Sequence, residues 1–480
     1  MEILEKIKAL NFSREFIIDD INGNVFTYDV FLNKSNVLAN FICNVSSQDT
    51  IIAVLENSVE LAMFYFAAIF AERRVAVIDP QKGQEEIQQI LATMPEYPIF
   101  ATKPILGRNT TQIPKLEYNS DINIKDLFIS KVNRMLSDVP YLVTFTSGTT
   151  GLTKGVEHSF KNLCLTALAL NAKVGASCVN TLLHVMPMTY MAGVLNSIIY
   201  PFLIGAKIVI AKRFSITTAR NFWNTVVKYK ADLFWLSPSM LMMIDQLDRS
   251  HQGEEYCHNN ALIFLIGTAP LSNELRNKFN DRYGVKVFAS YGLSETLFIS
   301  VETVTSLQAS EKNCVGELLD GVEYKLINNE MMLSVPWMFL RYTNVETSDY
   351  FLKKYYKSGD LARIDSNYLY ITGRSKDLII KGGMNISPSL IENTVLELTG
   401  IQDVAVVGVK DSMNEERILC AYTGTCNDAD IKKRINEKLG KNYSLDYTWQ
   451  ISAIPRNING KIDKNQLREL WLQREASDDN

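Results

Sequence analysis

The sequence predicts an α/β chain made of more than one domain, and three features carry that expectation. Strand-like and helix-like stretches alternate as far as Thr296, the order of a parallel sheet with crossover helices. Near residue 315 the pattern changes to short runs of alternating polar and apolar residues, as in antiparallel strands joined by turns. Beyond a polar break at Gly373-Arg374-Ser375-Lys376 the apolar periodicity restarts as a small α+β mix. With 480 residues, 47% of them hydrophobic and 21% charged, the chain is long and apolar enough to bury a large core.

The elements follow in order. Residues 51–55 read as a strand, 58–72 as a mostly apolar helix, 74–79 as a strand closed by Pro80, and 81–93 as a helix. A buried strand is expected at 141–145, a helix at 160–172, a strand at 181–186 ending at Pro187, and another at 207–211. A helix over 217–230 precedes a strand at 233–236, stopped by Ser237-Pro238. The cycle repeats with a strand at 262–266, the turn Gly267-Thr268-Ala269-Pro270, a helix over 273–283 and a strand at 285–288. Alternating strands follow at 323–327, 331–335 and 368–371. The last part reads as helix 388–398, strands 404–409 and 418–423, and helix 428–439.

Composition excludes several classes of function. A net charge of −4 gives no general attraction to nucleic acid or anionic membrane. The longest apolar runs, 61–71 and 198–206, are well short of the ~20 residues a bilayer requires. The N-terminus carries acid and no apolar core, so a secretory signal is not expected. Seven cysteines without a Cys-x-x-Cys pair point to reduced thiols and a cytoplasmic setting. The four histidines, 158, 184, 251 and 258, form no metal-ligand pattern and are expected to be structural.

Four clusters carry chemistry. The first is Thr146-Ser147-Gly148-Thr149-Thr150-Gly151-Leu152-Thr153-Lys154-Gly155. Glycines let backbone N–H groups approach a polyanion, hydroxyls add donors, and Lys154 adds a compact cation, so the stretch suits phosphate; it equally suits a plain surface turn. Its glycines do not have Walker A spacing. The second is Tyr291-Gly292-Leu293-Ser294-Glu295-Thr296, where Glu295 suits a Mg²⁺ that also holds phosphate, or an acidic helix cap. The third pairs Asp360, in Ser358-Gly359-Asp360, with Arg374: a carboxylate for ribose hydroxyls and a guanidinium fork, or a turn Asp and a surface Arg. The fourth, Asn459-Gly460-Lys461, presents an extended cation or a solvated basic turn.

In order and spacing these clusters resemble the adenylate-forming superfamily of acyl- and aryl-CoA synthetases, peptide-synthetase adenylation domains and beetle luciferases. The resemblance covers nearly the whole chain, with Thr153 where proline is usual. It implies a large N-terminal domain of parallel and mixed sheets with helices plus a small β-barrel-like part, over 1–373. A hinge at 374–376, centred on Lys376, and a small mobile α+β lid over 377–480 complete the implied plan. It further implies that a carboxylic acid is activated as acyl-AMP with loss of pyrophosphate, then passed to the pantetheine thiol of CoA. Thr146, Ser147, Gly148, Thr149, Thr150 and Lys154 are implied phosphate holders, and Glu295 the Mg²⁺ ligand. Gly267, Thr268, Ala269, Tyr291, Gly292 and Ser294 are implied to wall the nucleotide, with Asp360 and Arg374 on the ribose. Lys461 is the implied catalytic lysine, acting with Glu295 and Thr146, and Gly382 and Gly383 line the implied thiol channel.

The implied acyl pocket takes Tyr190, Gly193, Ser237, Gly267, Ala289 and Gly292. Coumarate- and fatty-acid-type ligases tend to have His where this chain has Tyr190. Amino-acid-activating relatives place an Asp nearby, and none occurs between Val174 and Arg220, which argues against an ordinary α-amino acid. Met186, Met188, Met191, Phe234, Trp235, Met240 and Phe298 offer apolar lining, so an aryl or medium-sized acyl acid is expected. The runner-up is a free-standing ligase charging the phosphopantetheine of a separate acyl carrier protein.

Overall fold

A computed structural model describes residues 2–94, 97–105, 107–119, 122–147, 153–304, 314–381, 384–411, 415–456 and 462–478. Two large sheets carry the N-terminal part. One runs in the spatial order Thr110–Thr111, Ile99–Ala101, Thr50–Val54, Arg74–Val77, Pro140–Ser147, Thr153–Ser159, Arg341–Tyr342. The first five strands are parallel; Thr153–Ser159 runs against them and pairs antiparallel with a strand on each side. The second sheet aligns Glu15–Asp19, Lys207–Ile210, Thr181–His184, Leu233–Leu236, Ile263–Ile266 and Val287–Leu293 in parallel. It then continues as an antiparallel wing through Leu297–Val301, Cys314–Leu318, Tyr368–Arg374, Tyr355–Asp365, Glu330–Ser334 and Glu323–Ile327. That wing is the antiparallel region expected after residue 315.

Strand side chains alternate, so each sheet has two faces to cover. One face of each contributes to a shared core with helices Tyr28–Val45, Val59–Ala71 and Phe160–Val174. The outer faces pack separately, one under Phe222–Tyr229, Pro238–Leu247 and Asn273–Tyr283, the other under Gln84–Ala92. The result is a five-layer stack of helix, sheet, helix, sheet, helix. Val59–Ala71 is apolar at every position but Glu60 because, beyond that first turn, it is covered on nearly every side. It starts where the Ser58 hydroxyl accepts the Leu61 N–H at 3.1 Å and stops at Glu72, in left-handed backbone.

The C-terminal part is a five-stranded sheet with Pro388–Val395 and Asp428–Leu439 on one face and Lys464–Asp478 on the other. No helix among the described residues is long and apolar enough to cross a membrane.

Several boundaries move from the expected ones. The helix over 217–230 is two, Ile216–Arg220 and Phe222–Tyr229, broken at Asn221, whose polar side chain competes for backbone bonds. Thr153, Lys154 and Gly155 belong to a strand that pairs antiparallel with Pro140–Ser147. Tyr291, Gly292 and Leu293 extend the strand expected at 285–288. Gly373 and Arg374 close the strand Tyr368–Arg374, and the polar break begins only at Ser375. In the three strand cases ladder pairing extends an element past its local signal. The apolar run near 198 contains a π-helical turn, Leu195–Ile199.

Candidate active site

In the Pro140–Ser147/Thr153–Ser159 hairpin, Thr146 lies opposite Lys154 and Ser147 opposite Thr153. Gly148, Thr149 and Thr150 lie outside the described residues. The hairpin base is held from outside. The Asn344 amide donates to the Thr153 carbonyl at 2.6 Å and accepts from the Gly155 N–H at 3.2 Å. Glu157, fully buried, is paired with Arg74 and, at 2.6 Å, with Arg341. A buried carboxylate between two guanidiniums fixes the register of the hairpin. The Lys154 ammonium sits over aromatic rings, 4.0 Å from the Tyr350 centroid and 5.2 Å from that of Tyr342.

Glu295 occupies the turn between Val287–Leu293 and Leu297–Val301. The turn is tight: a β-carbon on Gly292 would collide with the Leu297 carbonyl. His158 ties this turn to the hairpin, its Nε2 lying 2.7 Å from the Ser294 carbonyl. Burial pushes the His158 pKa down to about 4, so the ring is neutral and Nε2–H donates. The Phe339 N–H reaches the Glu295 carbonyl at 2.9 Å. The Glu295 carboxylate accepts from the Tyr342 hydroxyl at 2.7 Å, and that hydroxyl is 3.0 Å from the Tyr356 hydroxyl. Burial first, then the Glu295 charge, holds both phenols well above their ordinary pKa, so both remain protonated.

Asp360 and Arg374 face each other across two strands and pair at 2.8 Å, with Asp360 only 2% exposed. The Tyr291 hydroxyl donates to the second Asp360 oxygen at 2.6 Å. Burial and then the Asp360 charge raise the Tyr291 pKa, and the charge of Asp360 also reaches Tyr356. Tyr342 thus links Lys154, Glu295 and Tyr356, and Asp360 links Tyr291 and Arg374; the two groups adjoin because Tyr291 and Glu295 lie on one strand and its turn, and Tyr356 and Asp360 on one strand.

Gly267, Thr268 and Ala269 follow the strand Ile263–Ile266. A β-carbon at Gly267 would sit 2.8 Å from the Ser290 hydroxyl, so this turn packs closely on the strand carrying Tyr291. Thr268 has φ 70°, a strained value for a β-branched residue and of the kind held at functional sites. The Ala289 N–H donates at 2.6 Å to buried Glu302, which pairs with Arg276 at 2.8 Å. Ser237 caps its helix, accepting from the Met240 N–H at 3.2 Å.

Tyr190 is half-buried at the start of Met191–Val194. Gly193 is buried against the preceding turn, where a β-carbon would meet the Pro187 carbonyl. Gly193→Ala is expected to overpack this contact by about 1–3 kcal/mol or more and to lower the unfolding temperature; an unchanged melting curve would refute the close-packing account. Trp235 and Phe298 stack at 5.3 Å in the shared core, to which Met188 and Met191 also belong. Phe234 corrects the expectation. It stacks on Phe264 at 4.4 Å in the outer core, because adjacent strand residues face opposite ways.

In the C-terminal part Lys376 lies in the short turn Ser375–Asp377, and the Ser375 hydroxyl reaches the Gly359 carbonyl at 3.2 Å. Gly382, Gly383 and Lys461 lie outside the described residues. Around the first two, Lys381 pairs with Met384 across a hairpin, and the Lys381 ammonium meets Asp446 at 2.6 Å. Around Lys461, Arg456 bridges to Ile462, and the Asp463 N–H donates to the Pro455 carbonyl at 2.8 Å.

Sequence reasoning missed Tyr342, Tyr350, Tyr356, Asn344 and the Arg74–Glu157–Arg341 clamp. Tyr342 sits on a two-residue strand, Tyr350 ends a short 3-10 turn and Tyr356 lies near the start of Tyr355–Asp365, and no spacing marks them. Glu157, an acid inside an otherwise strand-like run, was the one available signal. Among the described residues no group of three or more metal-ligating side chains occurs, so a cation here would depend on Glu295 and on oxygens brought by a ligand.

Comparison with known proteins gives concordant results. The AMP-binding enzyme family model matches residues 8–338, and the AMP-binding enzyme C-terminal domain matches 390–461. A long-chain-fatty-acid–CoA ligase, FadD13, of Mycobacterium tuberculosis is 24% identical over 474 residues, covering 91% of this chain and 92% of the relative. ATP-bound MatB from Rhodopseudomonas palustris superposes with a TM-score of 0.84 at 20% identity over 98% of each chain. The o-succinylbenzoate CoA synthetase MenE of Bacillus subtilis, in complex with its acyl-adenylate, does so with a TM-score of 0.80 at 19% identity over 97% of each.

Proposed function

The chain belongs to the AMP-binding enzyme family, and on that premise we propose how its residues divide the work. The protein is an AMP-forming acid–CoA ligase. A carboxylate oxygen attacks the α-phosphorus of ATP and pyrophosphate leaves; the CoA thiol then attacks the acyl carbon and AMP leaves. The first step brings two anions together, so the site must cancel charge during attack.

Thr146, Ser147, Gly148, Thr149, Thr150 and Lys154 hold the phosphates. Glu295 would be the protein ligand for the Mg²⁺ that accompanies ATP, since this ion commonly uses one or two carboxylates with water and phosphate oxygens. Asp360 accepts the ribose hydroxyls, steadied by Arg374. Gly267, Thr268, Ala269, Tyr291, Gly292 and Ser294 surround the base. Lys461 bridges the incoming carboxylate and the α-phosphate. Rotation about Lys376 then withdraws it and brings Gly382 and Gly383 to the thiol path.

The observation that supports this reading is that Tyr342 joins Lys154 to Glu295 while Tyr291, four residues before Glu295, joins Asp360 and so Arg374. A phosphate-type cation, a metal-type carboxylate and a ribose-type carboxylate thus lie within one neighbourhood of the fold. The acid is an aryl or medium-sized acyl acid, held among Met188, Met191, Trp235 and Phe298. ATP–pyrophosphate exchange across a panel of acids tests it. Exchange is expected with aryl or medium-chain acids and not with α-amino acids, followed by thioester formation with free CoA. Exchange driven by an α-amino acid would overturn the substrate reading, and thioester formed only on a carrier protein would overturn the acceptor.

A further inference from the structure

His184 ends the strand Thr181–His184 and is fully buried, yet neither ring nitrogen has a hydrogen-bond partner among the described residues. Trp235 lies on the neighbouring parallel strand, is 2% exposed, and its indole N–H is likewise unpartnered. Leu182 pairs with Leu233 and Leu183 with Phe234, so the next step of the register sets Trp235 beside His184. On the other side His184 is paired with Ile210, which offers no polar side chain.

Alternation fixes the face. Leu182, Leu233 and Trp235 belong to the core shared with Met188, Met191 and Phe298; Leu183 and Phe234 belong to the opposite one. His184 therefore shares the Trp235 face, against which the Trp235–Phe298 stack sits. Buried polar atoms are nearly always bonded, and leaving one unmet is costly. Three such atoms on adjacent side chains of one face mark a place shaped for a hydrogen-bonding group that the chain does not supply.

Their chemistry limits that group. Burial pushes the His184 pKa down to about 3, so the ring offers one N–H and one bare nitrogen and no charge. Trp235 adds one N–H donor. Two N–H groups suit an uncharged oxygen, and a hydroxyl can also donate to the bare nitrogen. A second carboxylate would enter this face without a counter-charge from either residue.

We propose that His184 and Trp235 recognise an uncharged oxygen (keto, hydroxyl or phenol) on the body of the acid substrate, which is accordingly not a plain hydrocarbon acid. This rests on the reading of the Trp235–Phe298 face as the acyl pocket.

The test compares kcat/KM in ATP–pyrophosphate exchange for matched acids, cinnamate against its hydroxycinnamates and octanoate against its oxo- and hydroxy-octanoates, with the oxygen moved along the skeleton. At one oxygen position a preference of about tenfold or more over the parent is expected, since a site built to bond an oxygen discriminates against its absence. Trp235→Phe, which keeps the stack on Phe298, and His184→Leu should each move that ratio toward one. Equal or lower kcat/KM for every oxygenated acid overturns the proposal while the ligase reading stands. So does a ratio that survives Trp235→Phe, whether or not the His184 variant folds. No exchange with any acid would overturn both.

Discussion

Lys461→Ala is expected to lower acyl-adenylate formation about 10²–10³-fold, the usual effect of removing one charge-stabilising group from a transition state. Thioester formation from a supplied acyl-adenylate should fall far less. The attacking carboxylate and the α-phosphate are both anionic, and an ammonium on a long flexible stem can serve both at once. Once the adenylate has formed, that junction no longer exists and the lysine has no charge to neutralise. Rapid-quench measurement of each half-reaction separates the two. Equal losses in both would refute the division of labour proposed for the two steps.

Glu295→Gln should be nearly as severe, with adenylation down about 10²-fold and a raised Mg²⁺ requirement, because a neutral amide is a poor ligand for a hard dication. The substitution is chosen to spare the fold. An amide oxygen can still accept the Tyr342 hydroxyl, which Glu295 holds at 2.7 Å, and the turn over Gly292 is untouched. A Mg²⁺ titration of exchange activity is the measurement. An unshifted Mg²⁺ midpoint would assign Glu295 to holding Tyr342 and Tyr356 in place instead of to the metal.

Much of the parallel sheet was legible because its strands are short apolar runs with sharp ends. Val59–Ala71 and Asn273–Tyr283 fall within a residue of expectation, each opened by a serine cap at 58 or 272. The strand Glu15–Asp19 and the helix Tyr28–Val45 were not read. That strand is ordered by pairing with Lys207–Ile210, a partner no local window contains. The site divides in the same way. Asp360 and Arg374 stand out as polar residues at motif spacing, and the register brings them together. Tyr342, Tyr350 and Tyr356 look like ordinary core aromatics, and only the fold reveals that Tyr342 and Tyr350 receive a lysine and that Tyr342 and Tyr356 adjoin a carboxylate. Phe234 and Trp235 were read as one lining; pleating sends them to opposite sides.

Arg456 is paired with Ile462 and is moored to Asp403 at 2.7 Å on the small sheet. Both residues that flank 457–461 are thus fastened to the C-terminal part. On the proposed reading, in which Lys461 serves the first step and is withdrawn for the second, we expect that withdrawal to be a swivel of the whole C-terminal part, and not a change of side-chain rotamer.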